Sequence, residues 1–407
     1  MGCIIIGASH AGVQAAVNLR SQGYEDKITL ISSDTVLPYQ RPPLSKAFLQ
    51  DTLPEQRLWL RPEAFYQQKN IDLLLGKYVT KIDRDKQTVT LDDKQCLPYD
   101  KIILATGASI RRLTVPGSDL PGVHYLRDYN DTVGIRDTLA DVNDVVVIGG
   151  GYIGLEAAAS LQKLGKNVTL LIKHDRPLKH LTSTTVSDYL SQLHTEHGVN
   201  IQTNTVVKKV IGDDKTIAVE TTDGQRYKAD MVIVGIGVIP SQQLAQQCGL
   251  EVDNGIQVNE YMQTSDENIF AIGDCASFYH GVYKKQLRIE SVQNATDQSK
   301  TAALAICGQL IPYSTTAWFW SDQYDAKLQI AGLSDGYDEI IVRQETEKSL
   351  AVFYMANNRL IAIDAISQPK SFMITRKHIH NLPRINKIIL ADITQDLNNA
   401  FTEQAGV

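Results

Sequence analysis

Cysteine is scarce, with five residues in a chain of 407, at positions 3, 96, 248, 275 and 307. They are odd in number and scattered, so neither a disulfide framework nor a metal-spaced set is written here. No apolar run reaches the length a membrane-spanning helix needs. No basic leader with a cleavage site precedes the apolar run at Cys3, and Ile6 stands where a myristoylation pattern needs Ser or Thr. A cytoplasmic protein, with no membrane partner, is expected. Positive charge is in deficit, 40 Lys and Arg against 46 Asp and Glu, and the net of −6 argues against nucleic acid as the main partner. What remains is an ordinary composition, 43% hydrophobic and 21% charged, in a chain too long for one core and long enough for two or three.

The most informative stretch is Val145-Val-Val-Ile-Gly-Gly-Gly-Tyr-Ile-Gly-Leu-Glu156. An apolar strand ends in Gly149, Gly151 and Gly154, an alanine-rich helical pattern follows from Leu155 to Leu164, and a second strand is expected over Val168–Ile172. That is the context a dinucleotide fingerprint requires: glycines for the tight turn, for the approach of backbone to pyrophosphate, and for helix–strand packing. The pyrophosphate then meets the unpaired N–H groups of the helix N-terminus. After the second strand an NAD site would place an acid for the ribose 2′-hydroxyl. Here stand Lys173, His174 and, after Asp175, Arg176. Cations in that place accommodate a 2′-phosphate, so NADPH is favoured over NADH, which stays possible; the bland alternative is a solvated charge cluster. The turn Ile-Lys-His-Asp-Arg is also similar to the NADPH-selecting turn of glutathione reductases.

A second such unit opens the chain. Cys3–Gly7 reads as a buried parallel strand, Gly7-Ala-Ser-His-Ala-Gly12 opens a helix over Val13–Ser21, and Lys27–Ser32 returns as a strand. Ser9 replaces the middle glycine and is small enough to keep the close approach. At the end of the second strand either Ser33 or Asp34 can reach a ribose. Two dinucleotide units in one chain suggest a hydride passing from a nicotinamide to a second nucleotide cofactor, with FAD the candidate.

Between and beyond these units, Tyr39-Gln-Arg-Pro-Pro-Leu-Ser-Lys46 reads as an extended entry with Ser45 as a helix N-cap. Strands are expected at Ile71–Gly76, Val79–Asp83, Thr88–Leu91 and Lys101–Ala105, the last running into Thr106-Gly107. Val206–Ile211 and Ile217–Thr222 flank a hairpin, and Met231 leads a buried strand into Gly235-Ile-Gly237. Asn268–Cys275 ends an apolar strand in Gly273-Asp274, where the aspartate can accept hydrogen bonds from a ribityl chain or cap a helix. From Trp318 five successive strands with polar turns indicate an antiparallel unit with helices after it.

Taken together the residues closely resemble the FAD-dependent ferredoxin reductases that serve oxygenases, of the putidaredoxin reductase type, whose C-terminal domain is shared more distantly with apoptosis-inducing factor. The resemblance runs over nearly the whole chain, through Arg41-Pro-Pro-Leu-Ser-Lys46, Gly149–Glu156, Asp253-Asn-Gly-Ile256, Met262-Gln-Thr-Ser265, Ile272-Gly-Asp274, Arg288-Ile-Glu-Ser-Val-Gln-Asn294 and Trp318-Phe-Trp-Ser-Asp-Gln-Tyr324. It implies an α/β fold with two Rossmann-like, glutathione-reductase-like domains, FAD-binding at 1–112 with 239–310 and NAD(P)H-binding at 113–238. An α+β domain with an antiparallel sheet is implied at 311–407.

The resemblance implies that FAD contacts Gly7, Ala11, Gly12, Arg41, Lys46, Val79, Ala105, Arg127, Asp274 and Val292, with Ser9, Ser33, Asp34, Thr106, Gly107 and Glu290 beside them. NAD(P)H would take Gly149, Gly151, Ile153, Gly154, Gly235 and Gly237 together with the basic turn. Lys46 and Glu156 would meet beside the flavin N5, with Glu156 also near the nicotinamide. Trp320, with Trp318, would approach the isoalloxazine edge where the partner docks. That partner would be a small iron–sulfur carrier, a ferredoxin or a rubredoxin, served by a monomer or homodimer. Ser9 and Ser33 depart from the family pattern in the adenosine half.

Three rivals share the fold. A disulfide reductase or peroxidase needs a cysteine pair or a reactive thiol after the first unit, where this chain has Pro42-Pro-Leu-Ser-Lys46. A regulatory flavoprotein would turn over slowly with every carrier, and a quinone or oxygen reductase would prefer quinones. Lys370, Arg376, Lys377, His378, Arg384 and Lys387 make the C-terminal segment locally basic, either to steer an acidic ferredoxin or as a solvated helix face.

Overall fold

Cys3–Ile6, four apolar residues all buried, lies at the centre of a five-stranded parallel sheet. The order is Ile269–Ala271, Lys101–Leu104, Cys3–Ile6, Ile28–Ile31, Ile71–Leu74, every neighbouring pair parallel. Both faces of such a sheet are covered, so its strands carry no polar alternation. The helices His10–Ser21 and Val292–Ile306 pack together, with Asn18 Nδ2 donating to Ser299 Oγ at 3.0 Å between them, and both carry small buried residues, Ala15 and Ala16 on one and Ala302 and Ala303 on the other. The first helix starts at His10 rather than Val13, because the fingerprint residues themselves form its first turn.

The same plan recurs in a second parallel sheet, ordered Asn200–Gln202, Asn167–Leu171, Asp144–Ile148, Met231–Val234, Val123–Tyr125. Its fingerprint helix is Tyr152–Lys163. The last sheet is antiparallel throughout: Trp318–Gln323, Ala326–Gly332, Arg359–Ile366, Ser349–Ala356, Glu339–Thr346, followed by the helices Pro369–His378 and Lys387–Ala391.

The computed structural model describes residues 1–401, so residues 402–407 of the expected C-terminal domain lie outside the described residues. The chain divides into two compact units. The first is Met1–Arg41, Glu55–Ser109 and Val238–Ala317; the second is Pro42–Pro54, Ile110–Gly237 and Trp318–Val407. Two details differ from the expected boundaries. Leu328, Val352 and Tyr354 of the antiparallel sheet share one apolar cluster with Leu155, Val186 and Leu190, so that sheet belongs to the second unit. Pro42–Pro54 also belongs there, because Leu49 joins that cluster and Phe48 stacks at 5.6 Å on Tyr129 beneath the Arg136 guanidinium.

Candidate functional site

The first unit folds its fingerprint as a cradle that fits a dinucleotide. Gly7 has φ +107, and a β-carbon there would lie 2.2 Å from the Ala105 carbonyl oxygen; one on Gly12 would lie 1.8 Å from that of Gly7. Only glycine permits that turn. Ser9 begins the helix His10–Ser21 without capping it, and its hydroxyl instead accepts from Arg41 Nε at 3.2 Å. The first N–H groups of the helix thus have no side-chain cap, as a phosphate requires. By contrast Asp128, Ser183 and Ser291 cap the helices they precede.

Gly273 (φ +75) adjoins this cradle, since a β-carbon there would lie 3.2 Å from that of Ala11. Its N–H donates to the buried Gln298 at 2.7 Å, which sets the turn that carries Asp274. Burial and the neighbouring Arg41 push the His10 imidazole down to about 4, so it stays neutral beside the cradle.

The other candidates in this unit are placed by the backbone. Thr106 donates to the Ser241 carbonyl at 2.6 Å, and Gly107 accepts from the Ser241 N–H at 3.0 Å, which leaves Ala105 lying buried under Gly7. Asp34 accepts from the Tyr39 hydroxyl at 2.9 Å, whereas Ser33 is exposed. Val79 is buried, Val292 begins its helix, and Glu290 is exposed and paired with Arg288 at 2.6 Å.

In the second unit Gly149 has φ +117, its β-carbon would lie 2.2 Å from the Gly235 oxygen, and that of Gly154 2.0 Å from the Gly149 oxygen. Gly151, between them, begins the helix Tyr152–Lys163 uncapped and has nothing within 4 Å of its bare face. That open face over uncapped N–H groups fits a pyrophosphate. Gly237 (φ +98) is equally open, Ile153 is exposed, and the Arg127 N–H donates to Asp131 at 2.9 Å.

Of the basic turn, Lys173 and His174 are exposed, with His180 edge-on to His174 at 4.9 Å. Arg176 turns inward. Its guanidinium donates to the carbonyls of Lys179, Thr182 and Ser183 and to the Ser187 hydroxyl at 2.5–3.3 Å. It buckles the segment that follows the turn. Leu178 (φ +53) is buried in that segment and donates its N–H to the Gly150 carbonyl at 2.9 Å.

Lys46 and Glu156 meet as expected, Nζ to Oε2 at 2.6 Å, with side chains 18% and 2% exposed. Ser45 is no helix cap. It closes the 3-10 turn Pro42–Ser45 and donates to Glu156 Oε2 at 2.6 Å, while its own carbonyl accepts from Ser160 at 2.7 Å. Ser321 donates to Glu156 Oε1 at 2.6 Å. Three donors on one buried carboxylate compensate its desolvation. Ser45 was read from sequence only as a cap, and Ser321 was not singled out at all; strand alternation after Trp320 was the available signal.

Trp320 and Trp318 lie on one face of their strand, rings 5.6 Å apart, and the Arg376 guanidinium covers Trp318 at 4.5 Å. On the opposite face Phe319 stacks against Tyr152 at 4.7 Å. Lys387 pairs with Glu339 at 2.5 Å and Lys370 with Asp396 at 4.0 Å, and His378 stacks on Phe401 at 4.8 Å.

Four of the five thiols are disfavoured as nucleophiles, and the fifth, Cys96, is exposed. Burial pushes Cys3, Cys248, Cys275 and Cys307 up from the usual thiol range, and no cysteine among the described residues is bridged.

One buried acid was missed. Asp364 accepts from Thr182 and, at 2.5 Å, from Tyr354, while its Oδ1 has no partner, and burial pushes it up to about 6. A raised acid binds its proton more tightly when folded. Its contribution is therefore full below the unfolded value near 3.8 and is lost as pH rises through about 6. Asp364→Asn, which mimics the protonated acid, should gain on wild type by on the order of 2–3 kcal/mol between pH 4 and 8. Melting curves across that range check it; parallel pH profiles for the two proteins would contradict it.

Two parallel sheets, each with a glycine cradle opening on an uncapped helix, define an oxidoreductase that handles two dinucleotides. Comparison with known proteins agrees. Residues 1–299 match the family described as pyridine nucleotide-disulphide oxidoreductase, and residues 318–401 match the one described as reductase C-terminal. Rhodocoxin reductase of Rhodococcus erythropolis is 44% identical over 403 residues, 98% of this chain and 94% of that protein. A rubredoxin-NAD(+) reductase of Pseudomonas putida is 39% identical over 372 residues, 91% and 97% of the two chains. The solved covalent putidaredoxin reductase–putidaredoxin complex superposes with a TM-score of 0.93 at 42% identity, covering 97% of this chain and 96% of that one. The chain belongs to the pyridine nucleotide-disulphide oxidoreductase family and, within it, to the reductases of the putidaredoxin reductase type. No helix among the described residues is long and apolar enough to cross a membrane.

Proposed function

We propose that this protein is an FAD-dependent NAD(P)H:ferredoxin reductase that passes electrons to a small iron–sulfur carrier, a [2Fe–2S] ferredoxin or a rubredoxin, feeding an oxygenase. The observation that carries the reading is the pair of dinucleotide cradles in one chain in which no two cysteines are bridged. FAD, when bound, accepts a hydride and releases electrons singly, which lets a two-electron donor serve a one-electron carrier.

The chain's own residues supply position and charge. Gly7, Gly12 and the Ser9–Arg41 contact hold one dinucleotide; Gly149, Gly151 and Gly154 hold the other. Lys46 supplies a fixed positive charge to stabilise negative charge that develops on reduction. Glu156 fixes that ammonium, and Trp320 offers an aromatic face toward the carrier's side of the reaction. For the adenosine half of FAD, Asp34 is the ribose acceptor, because Tyr39 holds its carboxylate while Ser33 points to solvent.

NADPH is the favoured donor, through Lys173 and His174. Lys173→Ala/His174→Ala should lower the NADPH preference about tenfold with little effect on folding. Arg176→Ala should instead lower thermal stability, because it holds carbonyls of its own chain. Anaerobic mixing with NADPH or NADH, followed as flavin bleaching by stopped flow, tests both points. Faster bleaching by NADH in the wild type would remove the 2′-phosphate argument and leave the reductase; no bleaching with either would remove the reductase. A cytoplasmic location is proposed on the five unbridged cysteines, which suit a reducing compartment. The division into FAD, NAD(P)H and C-terminal reductase domains is proposed as the functional one.

A further inference from the structure

Glu156 does not end the polar interior of the second unit. Ser321, which donates to it, lies two residues before Gln323 on the same face of the strand Trp318–Gln323, and both are buried. Gln323 Nε2 donates to Ser321 Oγ at 3.2 Å, and Gln323 Oε1 faces His194 Nε2 at 2.9 Å. His194 is fully buried on the helix Thr184–Glu196, edge-on to the Tyr324 ring at 5.1 Å, and its Nδ1 has no partner.

The direction of every bond in this row follows from one end. A carboxylate only accepts, so Ser321 must donate to Glu156 and therefore accept from Gln323. The Gln323 amide has then presented its nitrogen, and its oxygen must accept from His194. His194 is thereby fixed as the neutral tautomer with its proton on Nε2. Burial, which pushes its imidazole down to about 4, is consistent with that neutral state. The same tautomer leaves the partnerless Nδ1 as a bare acceptor rather than as a buried, unpaired N–H donor, the rarer kind of orphan in a protein interior.

We propose that His194 is a positioning residue for the Glu156 carboxylate, acting through Gln323 and Ser321. It holds Oε1 on Ser321, so that Oε2 is kept for Lys46 and Ser45. The same strand carries Trp320 on its other face, so the row also ties the position of that indole to the carboxylate. The proposal rests on the reductase reading for the role of Glu156.

Two measurements on the full-length, FAD-loaded protein test it. In the first, the long-range proton–nitrogen spectrum of histidine-labelled protein should show His194 as the Nε2–H tautomer at neutral pH, and Glu156→Gln and Ser321→Ala should each shift that resonance. An Nδ1–H tautomer, or a resonance indifferent to both substitutions, overturns the proposal. In the second, His194→Leu should lower the limiting rate of flavin bleaching by roughly tenfold, as small misplacements of positioning groups do. NAD(P)H affinity should stay within about twofold of wild type, and His194→Gln, which can still donate to Gln323, should recover most of the rate. An unchanged limiting rate, or a loss that His194→Gln does not recover, overturns it. Should His194→Leu not fold, Gln323→Met carries the same test. If wild type itself is not bleached by NAD(P)H, the reductase reading fails, and the histidine spectrum still decides the positioning row.

Discussion

Lys46→Met is expected to slow flavin reduction by NAD(P)H by roughly 10²-fold, the scale seen when one preorganised electrostatic donor is removed. The same change should destabilise the protein, because it strands a carboxylate that is 2% exposed. Ser45 and Ser321 remain as donors, but hydroxyls do not replace an ammonium, and breaking a buried pair from one side costs about 3 kcal/mol or more. The double variant Lys46→Met/Glu156→Gln removes both charges and keeps an amide that the two serines can still address. It should regain most of the lost melting temperature and none of the rate. That split separates a charge needed for chemistry from one needed for folding. A double variant as unstable as the single one, or a single variant that reduces at the wild-type rate, would contradict the account.

The glycines give the second large effect, and they are expected to differ sharply from one another. Gly12→Ala drives a β-carbon to 1.8 Å from the Gly7 carbonyl oxygen, and Gly154→Ala to 2.0 Å from that of Gly149. Both obstacles are backbone, which cannot swing aside as a flexible side chain can. Gly12→Ala should purify without its yellow colour. Gly154→Ala should stay yellow, lose at least 10²-fold in kcat/KM for NAD(P)H, and be destabilised by about 1–3 kcal/mol through overpacking. Gly151→Ala meets nothing within 4 Å, so its melting temperature should match wild type while its nucleotide affinity falls. Absorbance at the flavin band, nucleotide titration and thermal melts together read out all three. A Gly151→Ala protein that binds nucleotide as wild type does would show that the open face is not where the pyrophosphate lies.

These features differ in how far the sequence disclosed them. The fingerprints were legible because backbone geometry dictates glycine at fixed local offsets, and the strands because burial on both faces leaves an unbroken apolar run. The Lys46–Glu156 pair was reachable only through family motifs, since nothing local links residues so far apart. Ser45 was misread as a cap because Pro-Pro-Leu-Ser-Lys has the local grammar of a helix start. Its actual partner lies on the helix Tyr152–Lys163, and only tertiary structure brings it there. Arg176 shows the converse. Beside Lys173 and His174 it has the composition of a phosphate clamp, yet the carbonyls of Lys179, Thr182 and Ser183 claim its guanidinium. Asp364 and His194 gave no sequence signal, because a lone acid or histidine in an apolar run does not announce its partners.

The interleaving of the two units along the chain bears on how the protein emerges from a ribosome. The first unit takes its edge strand from Ile269–Ala271 and its packing helix from Val292–Ile306, and it has every segment only once Ala317 has been made. The second unit begins at Pro42 and waits for the sheet that starts at Trp318. For most of synthesis neither core can close, and both present unpaired strand edges and apolar faces to solvent, the condition under which nascent chains depend on chaperones. Folding is therefore expected to be late, slow for the length of the chain, and concentrated after the last strands appear.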